Sequence, residues 1–127
     1  MAKRATTQVT RVGTVVLPVS DQGRALEFYV GTLGFEIRMD APFGAGGRWI
    51  EVAPPGAATT IALVQIGGDQ SGIEVSLATQ DAEQDHAELL ARGVDADTAL
   101  IRMGEQVPPM FTFRDPDGHR FRVVERE

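Results

Sequence analysis

The chain has 127 residues, 43% of them hydrophobic, no cysteine, and a formal net charge of −6. This length suits one domain with its own core, and the composition excludes a disordered chain, a disulfide framework and thiolate metal sites. The acidic balance, with scattered basic residues, excludes a nucleic-acid backbone as partner, and no apolar run has the length of a membrane span.

Residues 1–8 carry charge but no apolar segment, so they read as a mobile tail rather than a secretory signal, in a cytoplasmic protein. A single domain is expected over 9–127. Val12–Val19 is rich in β-branched residues and predicts a strand. Ser20 or Asp21 can cap a helix whose apolar face is Ala25, Leu26, Phe28, Tyr29 and Leu33 and which Gly34 ends. A strand over Phe35–Met39 is followed by a glycine-rich segment, Ala41–Gly47, that reads as a flexible loop. Strands Arg48–Ala53 and Thr59–Gln65 complete a first half, and 67–72 reads as a linker. The second half repeats this order. It runs through a strand at Ile73–Ala78, a helix at Asp81–Arg92 closed by Gly93, a ragged strand over Val94–Arg102, and a hairpin of Met110–Arg114 with His119–Glu125.

The two halves are one unit written twice. Asp21 and Asp81 stand sixty residues apart, each between a strand and a helix, and Pro54-Pro55-Gly56 matches Asp115-Pro116-Asp117-Gly118 as the later turn. The expected fold is α+β, two βαβββ modules at 9–66 and 72–127. Strand alternation sends Val15, Leu17, Val19, Ile61, Leu63, Val75, Leu77, Phe121 and Val123 toward the helices. Thr14, Ala62, Glu74 and Arg122 fall at matching positions of the opposite face. If the duplication closes the sheet around a pseudo-twofold axis, these four line one concave surface. Ser76 shares it, and Trp49 and Met110, which occupy similar places in the two halves, wall it. Glu74 and Arg122 are opposite charges there, either a ligand site or an ion pair tying two strands. Phe43 and Met103 are expected to serve packing more than the site. His86 is expected to face solvent and His119 to sit at a turn or edge, and neither has ligand spacing to a partner. No nucleophile triad or phosphate loop is present in the sequence pattern.

Leu17-Pro18-Val19-Ser20-Asp21, Arg24-Ala25-Leu26-Glu27-Phe28-Tyr29, Leu33-Gly34-Phe35 and the run Phe113–Glu125 through Asp115-Pro116-Asp117-Gly118 resemble the vicinal oxygen chelate superfamily. That superfamily includes glyoxalase I, bleomycin-resistance proteins and extradiol dioxygenases. The resemblance implies a cupped mixed sheet with the helices on its outer face, and a homodimer whose cups draw on both chains. It also implies metal ligands at four positions, which here hold Thr14, Ala62, Glu74 and Arg122. Only Glu74 among them readily binds a divalent cation. The expectation is therefore a small-molecule binder of the bleomycin-resistance kind with no metal and no other cofactor. Arg122 would clamp an anionic group and Glu74 would accept from a donor. The alternative is a glyoxalase-like lyase or isomerase with Glu74 as general base or metal ligand.

Overall fold

The computed structural model describes residues 7–66 and 72–126. Residues 1–6 of the predicted tail and 67–71 of the predicted linker lie outside the described residues. The first module comprises β1 (Thr14–Val19), α1 (Gln22–Leu26) continued by a π-helical stretch (Glu27–Thr32), β2 (Glu36–Phe43), β3 (Gly47–Ala53) and β4 (Thr60–Gln65). The second comprises β5 (Glu74–Thr79), α2 (Ala82–Ala91), β6 (Asp95–Ala96), β7 (Met110–Arg114) and β8 (Arg120–Glu125). Each module forms a four-stranded mixed sheet, in the orders β1-β4-β3-β2 and β5-β8-β7-β6. The two orders match position for position. β1 runs parallel to β4 and β5 parallel to β8, each pair spanning six residues in register. This is the α+β architecture of two similar modules that the sequence repeat predicts.

Local chemistry repeats with the topology. Asp21 caps α1 by accepting from the Arg24 amide at 3.1 Å, and Asp81 caps α2 by accepting from the Gln84 amide at 3.0 Å. Gly34 and Gly93 follow the two helices with φ of 81° and 78°, a left-handed conformation that a side chain would strain. Leu17, Val19, Ile50, Val52, Ile61 and Leu63 of the first sheet pack in one core with Phe111, Phe113, Phe121 and Val123 of the second. Tyr29 and Ala25 belong to the same core. The helix-facing sides are thus the ones that alternation assigns.

Four local expectations need correction. Ala41–Gly47 is not a loose loop: β2 runs on to Phe43 and pairs with β3 down to Phe43 opposite Gly47. A Cβ at Gly47 would meet the Phe43 carbonyl oxygen at 2.5 Å, so glycine here closes a tight hairpin. The first helix is not regular throughout. The Leu33 amide reaches the Phe28 carbonyl at 2.9 Å, the five-residue spacing of a π turn. Val94–Arg102 is mostly not strand, since only Asp95–Ala96 pairs with β7, followed by a single bridge from Ile101 to Met110. Both histidines turn inward. His86 packs at a tilt against Phe111, with ring centroids 4.9 Å apart, and bonds the Asp97 carbonyl at 2.7 Å, and His119 is fully buried.

Candidate ligand-binding faces

Each sheet has a face turned away from the helices, and the predicted site residues lie on these two faces. On the first sheet the register sets Thr14 beside Thr60 and Val16 beside Ala62. It also sets Ala62 beside Glu51, and Met39 and Ala41 beside Glu51 and Trp49. On the second sheet it sets Glu74 beside Arg120, Ser76 beside Arg122, and Arg122 beside Thr112. Met110 lies opposite Val124 on that sheet. Thr14, Trp49 and Ala62 are therefore gathered on one face, and Glu74, Ser76, Arg122 and Met110 on the other. Among the described residues no hydrogen bond or ion pair joins the two groups.

The second face carries a local excess of positive charge around Glu74. Arg122 and Arg120 both approach Oε1 of Glu74, at 3.5 and 3.7 Å. Two guanidiniums share one carboxylate, which leaves one positive charge in surplus. All three side chains remain open to water: Glu74 is 41% exposed and Arg122 49%. Arg114, at the edge of the same face, pairs with both Asp95 and Asp97 at 3.2 and 2.9 Å, so that edge carries one carboxylate in excess and the positive surplus is confined to Arg120 and Arg122.

The first face is anionic, through a residue that the sequence reading passed over. Glu51 accepts from the indole Nε1–H of Trp49 at 2.7 Å and from the Thr60 hydroxyl at 2.7 Å. The Thr60 proton is thereby committed, so the Thr14 hydroxyl, 2.8 Å from Thr60 Oγ1, is the donor in that contact. The bonds from Trp49 and Thr60 hold the Glu51 carboxyl below the usual glutamate range, against an opposing effect of burial. Ala62, directly across from Glu51, is fully buried. Phe43 and Met103 are not in the core. They are 58% and 67% exposed, and Phe43 leans on Trp49 with ring centroids 5.4 Å apart. The missed signal was plain alternation, because Glu51 stands two residues from Trp49 and shares its face.

The two sequence signatures meet elsewhere, at the junction of the modules. The Tyr29 hydroxyl donates to Asp115 Oδ2 at 2.6 Å, while Asp115 Oδ1 accepts from the amides of Asp117 and His119, each at 2.9 Å. Burial, then the Asp115 charge and hydrogen bond, push the Tyr29 phenol far above its ordinary value, so it stays a donor. The Ser20 amide donates to Asp117 at 3.0 Å, Arg24 to the Pro116 carbonyl at 2.8 Å, and His119 Nε2 bonds the Pro18 carbonyl at 2.6 Å. The strand–helix motif and the Asp-Pro-Asp-Gly turn are one structural joint.

Residues 11–123 match the model of the Glyoxalase/Bleomycin resistance protein/Dioxygenase superfamily. The chain belongs to that superfamily. It is 34% identical to TnmS3, an antibiotic binding protein from Streptomyces sp. CB03234, over 95% of this chain and 99% of that one, with a TM-score of 0.82. A superfamily member from Sphaerobacter thermophilus DSM 20745 is 35% identical over 94% of this chain and all of its own, with a TM-score of 0.85. The protein YetH of Bacillus subtilis (strain 168) is 28% identical over 92% of this chain and 99% of its own length.

The superfamily resemblance implies a metal at four positions, and the residues present do not fit one. Thr14 offers only a neutral hydroxyl, Ala62 has no donor atom, and Glu74 already faces two guanidiniums, one of them Arg122. Among the described residues no three His, Cys, Asp or Glu side chains converge. A cleft of about 350 Å³ floored by Leu77, Leu89 and Phe113 lies on the helix side and contains none of the predicted site residues. Among the described residues no helix is long and apolar enough to cross a membrane.

Proposed function

We propose that this chain is a metal-independent small-molecule binding protein, which holds an organic ligand against the open sheet faces by shape and charge. One observation carries the reading: Arg120 and Arg122 share a single carboxylate, so the face where relatives would hold a cation has spare affinity for an anion. A ligand carboxylate or phenolate set against Arg122 would accept from its planar fork, and Glu74, with Ser76 beside it, would take a neighbouring donor group. TnmS3, described as an antibiotic binding protein, supports ligand capture as the activity class. The exposed apolar side chains Val16, Met39 and Phe43 of the first sheet's open face support a homodimer in which a second copy completes the cup, with Trp49 and Met110 as its walls.

The lyase or isomerase alternative needs Glu74 as a base or metal ligand. Its position between two arginines and in contact with water disfavours that role. The test uses anthraquinone-2-carboxylate as an aromatic anion, followed by calorimetry. Arg122→Ala is expected to weaken binding about tenfold, the scale of one charge-assisted hydrogen bond. Exhaustive chelation is expected to leave binding unchanged. Unaltered affinity in the Arg122 variant, or loss of binding after chelation, overturns the reading.

A further inference from the structure

Glu51 is defined by a partner it lacks. Its two oxygens take protons from Trp49 and Thr60, and both donors are neutral. A carboxylate has about four lone-pair sites, so acceptor capacity remains. No Lys or Arg among the described residues lies within ion-pair distance of it. The nearby-strand arginines are engaged elsewhere, Arg38 with Glu36 and Arg48 with Asp40. The neutral donors keep the carboxylate ionised, so it presents a full negative charge that no cation among the described residues offsets.

The surroundings say what kind of countercharge fits. Trp49 lies beside the carboxylate on the same strand face, and its ring is held in place because its N–H is bound to Glu51. Phe43 packs on Trp49 at 59° between ring planes and leaves its own ring exposed. Aromatic faces attract organic cations through their quadrupoles, and the net charge of −6 draws cations toward the surface. A hydrated metal ion would find one carboxylate and no second donor of its kind. An ammonium group on an aromatic skeleton would find a charge-assisted hydrogen bond and two π faces together.

We propose that Glu51, Trp49 and Phe43 form a recognition site for a protonated amine on an aromatic ligand, and that Glu51 sets this specificity. The site rests on the small-molecule-binding reading but does not use Arg122. It deepens that reading by naming the substrate class at the first sheet: amine-bearing planar aromatics.

The experiment uses two probes with one ring system, 9-aminoacridine, a cation at neutral pH whose ring nitrogen takes the proton and whose charge is shared with the amino N–H donors, and acridine-9-carboxylate, an anion. Each is titrated by calorimetry into wild type, Glu51→Gln, Glu51→Asp and Arg122→Ala. Glu51→Gln is expected to weaken 9-aminoacridine at least tenfold and to leave acridine-9-carboxylate within threefold. Glu51→Asp keeps the charge but shortens the side chain, so it should bind 9-aminoacridine more tightly than Glu51→Gln does, which separates loss of charge from loss of local order. Near-ultraviolet circular dichroism of Trp49, the single tryptophan, checks that the ring stays in place in each variant. No binding of 9-aminoacridine to wild type, or equal binding by Glu51→Gln, overturns the proposal. So does a Glu51→Gln variant that changes only the monomer–dimer equilibrium, because the countercharge then belongs to a second copy. If acridine-9-carboxylate still binds in an Arg122-dependent way, only the amine site falls. If neither probe binds, the binding-protein reading falls with it.

Discussion

The two open faces sit on sheets of the same topology, yet the glutamate on each is set in opposite surroundings. On the first, Glu51 is surrounded by an indole, two hydroxyls and, among the described residues, no cation. On the second, Glu74 lies between Arg120 and Arg122. The duplication reproduces strand order, register, caps and helix-ending glycines. It does not reproduce charge. Backbone topology fixes which residues share a face, and the side chains standing across the strands then decide what that face can hold. A ligand spanning both faces would be read as cationic at one end and anionic at the other.

Both faces depend on the joint between the modules, and removing it should disturb them together. Asp115 is buried and accepts three hydrogen bonds, one from Tyr29 and two from amides of its own turn. Asp115→Ala would leave a buried phenol and two amides without their acceptor. The expected loss is on the order of 3 kcal/mol, taking about 1–3 kcal/mol per stranded group with partial rescue by water. Urea denaturation measures it. Cationic and anionic probes should weaken together, since neither face is singled out. A variant with wild-type stability would show that the turn holds itself and that the module contact is incidental.

A sharper, smaller effect separates the two faces. Glu74 competes with any anion for Arg120 and Arg122. Glu74→Gln removes that competitor, and affinity for anthraquinone-2-carboxylate should rise about threefold to tenfold. This is the scale of a partly screened charge contact at an exposed site. The gain should shrink in 0.5 M salt. Binding of 9-aminoacridine, assigned to the other face, should not change. This probe has no donor for Glu74 to accept from, so a fall in its affinity would mean that Glu74 positions Arg120 and Arg122 for the anion rather than competing with it.

The division between what was legible in the sequence and what was not follows the same line. Period-two alternation placed Leu17, Ile61, Phe121 and Arg122 on their observed sides, because a strand's geometry is local. The sequence leaves Ser20 and Asp21 as alternative caps of the first helix, of which Asp21 serves, and it counts Asp81 inside the helix that Asp81 in fact caps. The hairpin at Gly44–Gly47 was missed because glycine permits both a loose loop and a tight turn, and only the cross-strand partner Phe43 decides between them. The π turn was missed because a shift from four-residue to five-residue bonding leaves the apolar pattern nearly unchanged. Thr14 and Ala62 were weighed as metal positions by resemblance, and Glu51 had no such prompt. Its character comes from Thr60 and Thr14 on neighbouring strands, a contact that no single stretch of sequence contains.

The smallest effect tests that contact through pH. In the folded chain the Trp49 and Thr60 bonds favour the ionised Glu51, so its carboxyl lies below the range it has when unfolded. A depressed carboxyl adds stability that is fully present above the unfolded value and is lost as pH falls through the folded one. Wild type should therefore exceed Glu51→Gln in stability at pH 7, and the gap should close as pH is lowered through the carboxylate range, with paired urea titrations as the measurement. The decline should survive in 0.5 M salt, because the bonds come from neutral donors. A gap that collapses in salt at pH 7 would point instead to an ionic partner for Glu51, and the contrast between the two faces would lose its basis.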